Sequence, residues 1–229
     1  MVTPQPRTQP VVLLDVDGTL VDSNYLHVDA WVRAFADVGM AVDAWRVHRA
    51  IGMGSTQLVD KLAGDDADRV REAVVDAHSS YYAEDTDRLR AFDGARELVR
   101  ALADRGARPV LATSAAPDEL ERLRAVLDVE EELHDVTGGG DVESAKPEPD
   151  LVQVALEAAD AAPDEAVFVG DTVWDVEAAG RAGVPCVAVR SGGIGDDELT
   201  GAGAIAVYDD VAALLADLDA SPLVARPTS

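Results

Sequence analysis

Five short apolar segments, separated by stretches of helical periodicity, constrain the fold of this chain more than any other feature. The first covers residues 11–17 and starts with four consecutive apolar residues. Similar segments follow at 108–112, 166–170, 184–189 and 204–208. Short runs of this kind are typical of strands buried on both faces, and their alternation with helices predicts right-handed βαβ units. We therefore expect an α/β fold with a Rossmann-like parallel sheet and helices on both faces.

The strand pattern is interrupted between residues 22 and 90. Apolar residues such as Leu26 and Ala30 recur there at helical spacing instead. This predicts an all-helical domain inserted directly after the first strand and its turn. We expect a core domain formed by residues 1–21 and 91–229 and a helical cap formed by residues 22–90, which overhangs the carboxyl edge of the sheet.

Charge and cysteine content exclude several classes of partner. The chain has 44 Asp and Glu against 19 Lys and Arg, a formal net charge of -25. Such a surface repels nucleic acids and anionic membranes, so we expect neither as a partner. Cys186 is the only cysteine, and the first ten residues contain no apolar stretch typical of a signal peptide. A reducing, cytoplasmic location is therefore expected.

Acidic residues stand where two of the predicted strands end. Asp15 and Asp17 occupy alternate positions at the end of the first strand, and Gly18 allows a sharp turn directly after them. Asp171 follows the 166–170 strand, and Asp175 comes four residues later at the start of a helix. Because parallel strands present their carboxyl ends at one edge of a sheet, these carboxylates are expected to meet there.

Two further motifs supply hydroxyl groups and a cation. The 108–112 strand is followed by Thr113 and Ser114. Lys146 is one of only two lysines in the chain, and Pro147 and Pro149 restrict the backbone beside it. A lysine held in a defined turn favours a specific role over an incidental surface charge.

Together these motifs resemble the haloacid dehalogenase superfamily in its phosphatase branch, and the resemblance covers nearly the whole chain. In that family the first motif reads D-x-D-G-T, the second ends in Ser or Thr, the third reads K-P-x-P-D and the fourth G-D-x-x-x-D. The resemblance implies that Asp15 attacks phosphorus to form an aspartyl phosphate. It implies that Asp17 protonates the leaving oxygen and then deprotonates the hydrolytic water. The dehalogenase branch lacks this second Asp, so Asp17 favours phosphatase chemistry.

The same resemblance assigns roles to the remaining motif residues. Thr113 and Ser114 bind the transferring phosphoryl group, and Lys146 neutralises its oxygens. Asp171, the Asp15 carboxylate and the backbone carbonyl of Asp17 are implied to bind Mg²⁺. The implied role of Asp175, outside the metal and phosphate ligands, is to orient Lys146 or a metal-bound water.

The expected substrate is a small phosphorylated metabolite, hydrolysed as a phosphate monoester like phosphoglycolate or a sugar phosphate. A mutase resembling β-phosphoglucomutase is the alternative, since the catalytic core serves both, and a non-catalytic binding module on the same fold is a more distant one. We expect a monomer or a weak homodimer. The candidate residues for reading the substrate all lie in the cap: His27, Trp31, Arg46, Arg49, Gly52, Met53 and Gly54.

Overall fold

A computed structural model describes residues 9–142 and 144–224 of the 229-residue chain. The strands are β1 (Val11–Leu14), β2 (Arg108–Ala112), β3 (Asp135–Thr137), β4 (Ala166–Gly170), β5 (Cys186–Val189) and β6 (Ala206–Tyr208). The helices are α1 (Asn24–Asp37), α2 (Ala44–His48), α3 (Ser55–Ala63), α4 (Ala67–Glu84), α5 (Ala95–Asp104), α6 (Pro117–Leu127), α7 (Asp150–Ala158), α8 (Val173–Arg181), α9 (Asp196–Ala202) and α10 (Val211–Ala216).

The six strands form one parallel sheet in the order β3-β2-β1-β4-β5-β6. This confirms the predicted α/β fold. From β1 the sheet is extended to one side by β2 and β3 and to the other side by β4, β5 and β6, so the chain switches sides of the sheet at β1. In open α/β sheets the crevice beyond such a switch is where ligands bind. The carboxyl ends of β1 and β4, with their acidic residues, lie at this point.

Two apolar layers cover the sheet, one on each face. Val12 and Leu14 of β1 belong to the layer that includes α5 and α10, whereas Val11 and Leu13 belong to the layer that includes α7 and α8. All four side chains are fully buried. Alternate side chains of a strand point to opposite faces, so a run of four apolar residues is what a strand between two helical layers requires.

Residues between β1 and α5 contain α1 to α4 and, among the described residues, no strand of the sheet. These helices have an apolar core of their own, which includes Trp31, Phe35, Leu58 and Val74. Such a core supports the two-domain division at residues 22 and 90, which we retain as a proposal. Within the described part of the chain, no helix has the length and apolarity needed to cross a membrane.

The two connections between the helical insertion and the core run side by side. Val21 forms an isolated antiparallel bridge with Ala91, and the Asp22 backbone amide donates to the Arg90 carbonyl oxygen at 2.9 Å. The Asp22 carboxylate also accepts from the Arg90 guanidinium at 2.7 Å. The insertion therefore begins and ends at adjacent points beside the carboxyl edge of the sheet.

Candidate active site

The first acidic motif is held at the end of β1 by a tight turn. The Asp15 backbone amide donates to the carbonyl oxygen of Val169 in β4 at 2.9 Å, so the sheet itself positions this residue. Gly18 follows with φ of +74°, and a Cβ there would lie 2.1 Å from the amide nitrogen of Asn24. The turn therefore requires glycine, as the sequence indicated.

Lys146 links two of the carboxylates. Its Nζ lies 2.7 Å from Asp15 Oδ1 and 2.6 Å from Asp175 Oδ1, and only 2% of the lysine side chain is exposed. The other oxygen of Asp175 accepts from the backbone amide and the hydroxyl of Thr172, at 2.9 and 2.6 Å. Asp175 is thus fixed at the start of α8 and directs the lysine towards Asp15.

Burial controls the protonation of this pair. It raises the pKa of Asp15, Lys146 lowers it and Asp175 raises it again, with a result of about 7. Burial lowers the pKa of Lys146, but its ion pairs with Asp15 and Asp175 outweigh this and leave the pKa above its ordinary value. The lysine is therefore charged at neutral pH.

Asp171 lies at the end of β4 without a cation beside it among the described residues. Its oxygens accept from the Thr19 hydroxyl and the Asn24 amide, both at 2.9 Å, and the residue is fully buried. Burial, and then the charges of Asp175 and Asp15, raise its pKa well above the ordinary value. Neutral donors alone do not balance an ionised carboxylate at such a position.

The donor set at this edge of the sheet fits a divalent cation. Carboxylate oxygens of Asp15, Asp171 and Asp175 all lie within 4.8 Å of one another. Clustered carboxylate oxygens are the ligands that hard divalent cations prefer, and a cation would relieve the repulsion that raises their pKa values. Because Asp175 is already engaged by Lys146 and Thr172, Asp15 and Asp171 are the carboxylates best placed to bind it.

The second carboxylate of the first motif lies beside a histidine from α1. Asp17 accepts from the Ser23 hydroxyl at 2.5 Å and lies 3.5 Å from His27 Nε2, which is also 2.9 Å from Glu119 Oε1. Burial raises the pKa of Asp17, but the hydrogen bond and charge of His27 outweigh it and lower the pKa below the ordinary value. Burial lowers the pKa of His27, yet Glu119 and Asp17 raise it to about 10.

The hydroxyl motif after β2 faces the same place. Thr113 Oγ1 accepts from the Ala115 backbone amide at 3.1 Å and lies 3.5 Å from Asp17 Oδ2. Ser114 Oγ is buried and has no hydrogen-bond partner. Both residues line a small cavity together with Asp15 and Asp17. All the core residues singled out in the sequence therefore converge at one end of the sheet.

Comparison with known protein families identifies the family of this chain. The family model described as haloacid dehalogenase-like hydrolase matches residues 10–183, which include every motif residue above. The chain belongs to the haloacid dehalogenase-like hydrolases. Its relatives place it among the phosphatases of that family: a phosphoglycolate phosphatase from Rhodospirillum rubrum is 33% identical over 213 residues, covering 89% of this chain and 88% of the relative.

Solved structures agree with the fold of this phosphatase. The crystal structure of a hydrolase from Pseudomonas syringae has a TM-score of 0.88 and 33% identity, covering 93% of this chain and 99% of the other. A β-phosphoglucomutase from Clostridium difficile has a TM-score of 0.77 at 17% identity, covering 89% and 92%. At that identity the mutase shows a shared fold only.

The candidate substrate-reading residues of the phosphatase fall into two groups. His27, Trp31, Gly52 and Met53 line the cavity that contains Asp15, as does Ile51. Gly54 lies at a neighbouring cavity.

The two arginines do not line the Asp15 cavity. Arg46 is exposed on α2, and the guanidinium of Arg49 pairs with the Glu198 carboxylate of α9. Their role in substrate selection stays a prediction.

Several polar residues of the site were not singled out from the sequence, among them Ser23 and Thr172, described above. Asn24 and Thr19 hold Asp171, while Glu119 and His78 contact His27, the latter at 3.1 Å between His78 Nε2 and His27 Nδ1. Thr19 lies inside the D-x-D-G-T motif, which could have indicated it. Glu119 looks like an ordinary acid in the first turn of a helix, and only the contact of its side chain with His27 of α1 connects it to the site.

Proposed function

We propose that this phosphatase hydrolyses a small phosphate monoester, phosphoglycolate-like or a sugar phosphate, with Mg²⁺ and through an aspartyl phosphate on Asp15. The observation that carries the proposal is the position of Asp15. Its side chain is 8% exposed, contacts Lys146 and borders the cavity that Thr113 and Ser114 also line. A fixed carboxylate with one oxygen held by a lysine fits an in-line nucleophile.

The two chemical steps use the side chains already described. In the first, an oxygen of Asp15 forms a bond to phosphorus while the ester P–O bond breaks, and Asp17 gives its proton to the departing oxygen. In the second, Asp17 takes a proton from water as the water oxygen attacks phosphorus, which releases inorganic phosphate and restores Asp15. Lys146 and the Thr113 hydroxyl face the charge that develops on the phosphoryl oxygens.

The residues that would hold the metal are the carboxylates of Asp15 and Asp171 and the backbone carbonyl of Asp17. When bound, Mg²⁺ would supply positive charge to the phosphoryl group and keep the nucleophile ionised. The lack of any cation beside the buried Asp171, among the described residues, supports this assignment.

Protonation of Asp17 is the step that needs a specific source. Its lowered pKa means that the carboxyl is ionised at neutral pH in the substrate-free protein. His27 is the adjacent group that holds a proton, with Nε2 at 3.5 Å from Asp17 Oδ1. His27 holds that proton far more tightly than Asp17 would, so this contact keeps Asp17 ionised, and we infer that Asp17 gains its proton when the negative charge of a bound substrate phosphate raises its pKa.

Turnover of p-nitrophenyl phosphate tests the proposal directly. We expect activity with Mg²⁺ that EDTA abolishes, and we expect Asp15→Asn to abolish it while the fold is retained in circular dichroism spectra. Asp197→Asn removes the same charge at an exposed position of α9 and serves as the control. Wild-type rates in the Asp15 variant would refute the nucleophile assignment.

The mutase alternative needs a different measurement. With a hexose phosphate as substrate, a hydrolase releases inorganic phosphate in proportion to substrate lost, whereas a mutase yields an isomeric phosphate. Following both products in one assay separates the two functions. No turnover of any phosphate ester with Mg²⁺ would favour the non-catalytic binding module.

A further inference from the structure

The cavity beyond Asp15 is where the leaving group of a substrate must lie. It has a volume of about 80 Å³ and is lined on the cap side by Trp31, Ile51, Met53 and Leu58. A larger cavity of about 490 Å³ adjoins it, and Ser114 lines both. The leaving group therefore meets apolar cap side chains first and a larger space of mixed apolar and uncharged polar lining next.

Neither cavity offers a lysine or an arginine that could pair with a second anionic group. The described residues that line them include no lysine and no arginine. Lys146 is already paired with Asp15 and Asp175, where the phosphoryl group reacts. Arg122 of α6 is exposed and lines neither cavity.

The two histidines that line the smaller cavity do not make its net charge positive. His27 faces two carboxylates, Asp17 at 3.5 Å and Glu119 at 2.9 Å, so even its protonated form compensates only one of them. His78 is stacked on Trp31 and buried, and burial together with the charge of His27 lowers its pKa to about 2. The wall of the cavity formed by Glu119 of α6, next to His27, thus carries an excess of negative charge.

Neutral hydrogen-bonding groups are present, and they lack partners. Ser114 Oγ and Gln57 Oε1 are buried and accept no hydrogen bond, and both residues line the larger cavity. Buried polar atoms normally have partners, so unpaired ones at a ligand cavity indicate groups that the ligand supplies. Hydroxyl groups of a substrate would donate to these oxygens.

We propose that Glu119 makes this phosphatase selective for esters whose leaving group is uncharged and carries hydroxyl groups, and that it excludes leaving groups with a carboxylate. The inference rests on the proposed function and narrows it to sugar or polyol phosphates. A substrate carboxylate in this cavity would be repelled by the Glu119 carboxylate, and no lysine or arginine among the described lining residues would offset that repulsion. An uncharged hydroxyl group would not be repelled.

Two size-matched substrate pairs test this selectivity. Phosphoglycolate and 2-hydroxyethyl phosphate differ by one carboxylate in place of a hydroxymethyl group, and so do 3-phosphoglycerate and glycerol 3-phosphate. For the wild-type protein we expect kcat/KM to be at least about tenfold higher for the hydroxyl member of each pair. An equal or higher value for the carboxylate members would overturn the proposal without any variant.

The role of Glu119 itself is tested by Glu119→Gln, which keeps the shape and removes the charge. We expect the hydroxyl-to-carboxylate ratio of kcat/KM to fall about tenfold or more, even if the variant lowers all rates through His27. Glu121→Gln makes the same change at an exposed position of the same helix and should leave the ratio unchanged. An unchanged ratio in Glu119→Gln would assign Glu119 a structural role only.

The two proposals fail in distinguishable ways. If no ester in the panel, p-nitrophenyl phosphate included, is hydrolysed with Mg²⁺, the proposed function itself is wrong. If the esters are hydrolysed but the carboxylate members are preferred, the phosphatase assignment stands and only the selectivity proposal falls. Pyrophosphate extends the panel, because its leaving group is an anion too and should be a poor substrate.

Discussion

Stability of the metal-free protein should fall as the pH rises towards neutrality, because Asp15 is buried. Its pKa rises from the ordinary value of 3.8 to about 7 in the folded chain. The folded protein therefore binds this proton more tightly than the unfolded chain. The stabilising contribution is complete below about pH 4 and is lost as the pH rises to about 7. At about 1.4 kcal/mol for each pH unit, the full loss is about 4 kcal/mol.

Urea denaturation in EDTA, followed by circular dichroism, measures this loss. Measurements from pH 5 to 7.5 stay above the isoelectric point of about 4.2 and should still contain about 2 to 3 kcal/mol of the Asp15 contribution. Other groups titrate as well, since Asp171 has a raised pKa and the chain is strongly acidic. Asp15→Asn removes the Asp15 contribution and also the part of the Asp171 pKa rise that the Asp15 charge causes. The difference between the pH profiles of the wild type and this variant measures the two effects together.

Saturating Mg²⁺ should remove most of the difference in pH dependence, because a bound divalent cation keeps Asp15 ionised in the folded state. Parallel profiles for wild type and Asp15→Asn in EDTA would refute this account of the buried carboxylate. A profile that stays equally steep with Mg²⁺ would instead show that the metal does not contact Asp15.

Phe35→Ala should lower the free energy of unfolding by about 3 to 5 kcal/mol, since the ring is fully buried in the cap core, and chemical denaturation measures the change. Gly192→Ala should raise the Mg²⁺ concentration needed for half-maximal activity by about tenfold or more, because a Cβ there would lie 1.7 Å from Asp171 Oδ2. Gly180→Ala is the matched control, as a Cβ there meets no neighbour, and an equal effect of the two alanines on Mg²⁺ dependence would contradict the reasoning.

The parts of the fold that depend on local pattern could be predicted from the sequence. Apolar runs identified five of the six strands, although β5 begins at Cys186 and β6 at Ala206, two residues later than the runs do. Strand β3 was not predicted because it is short, begins with Asp135 and lies at the edge of the sheet, where only Thr137 is buried. An edge strand of three residues leaves little hydrophobic signal.

The active site also contains residues that could be predicted from the sequence and residues that could not. Asp15, Asp17 and Asp171 each follow a predicted strand, so the strand pattern was enough to predict that they meet, whereas Lys146 was placed beside them by the resemblance to the family. Glu119 could not be found in this manner, because its position depends on how a core helix packs against the cap. Contacts between helices that are distant in sequence leave no local periodicity.

The two chain connections between the core and the helical insertion lie side by side, which affects how such an insertion can be gained, lost or exchanged in evolution. Since Val21 bridges Ala91, excising the whole insertion leaves two ends that a short turn can join without distorting β1 or α5. Insertions whose ends meet are tolerated because they add no stretch to the host. We therefore expect the proposed cap to be an exchangeable module, whose own contribution to substrate selection can change while the catalytic carboxylates and Glu119 of α6 stay where they are.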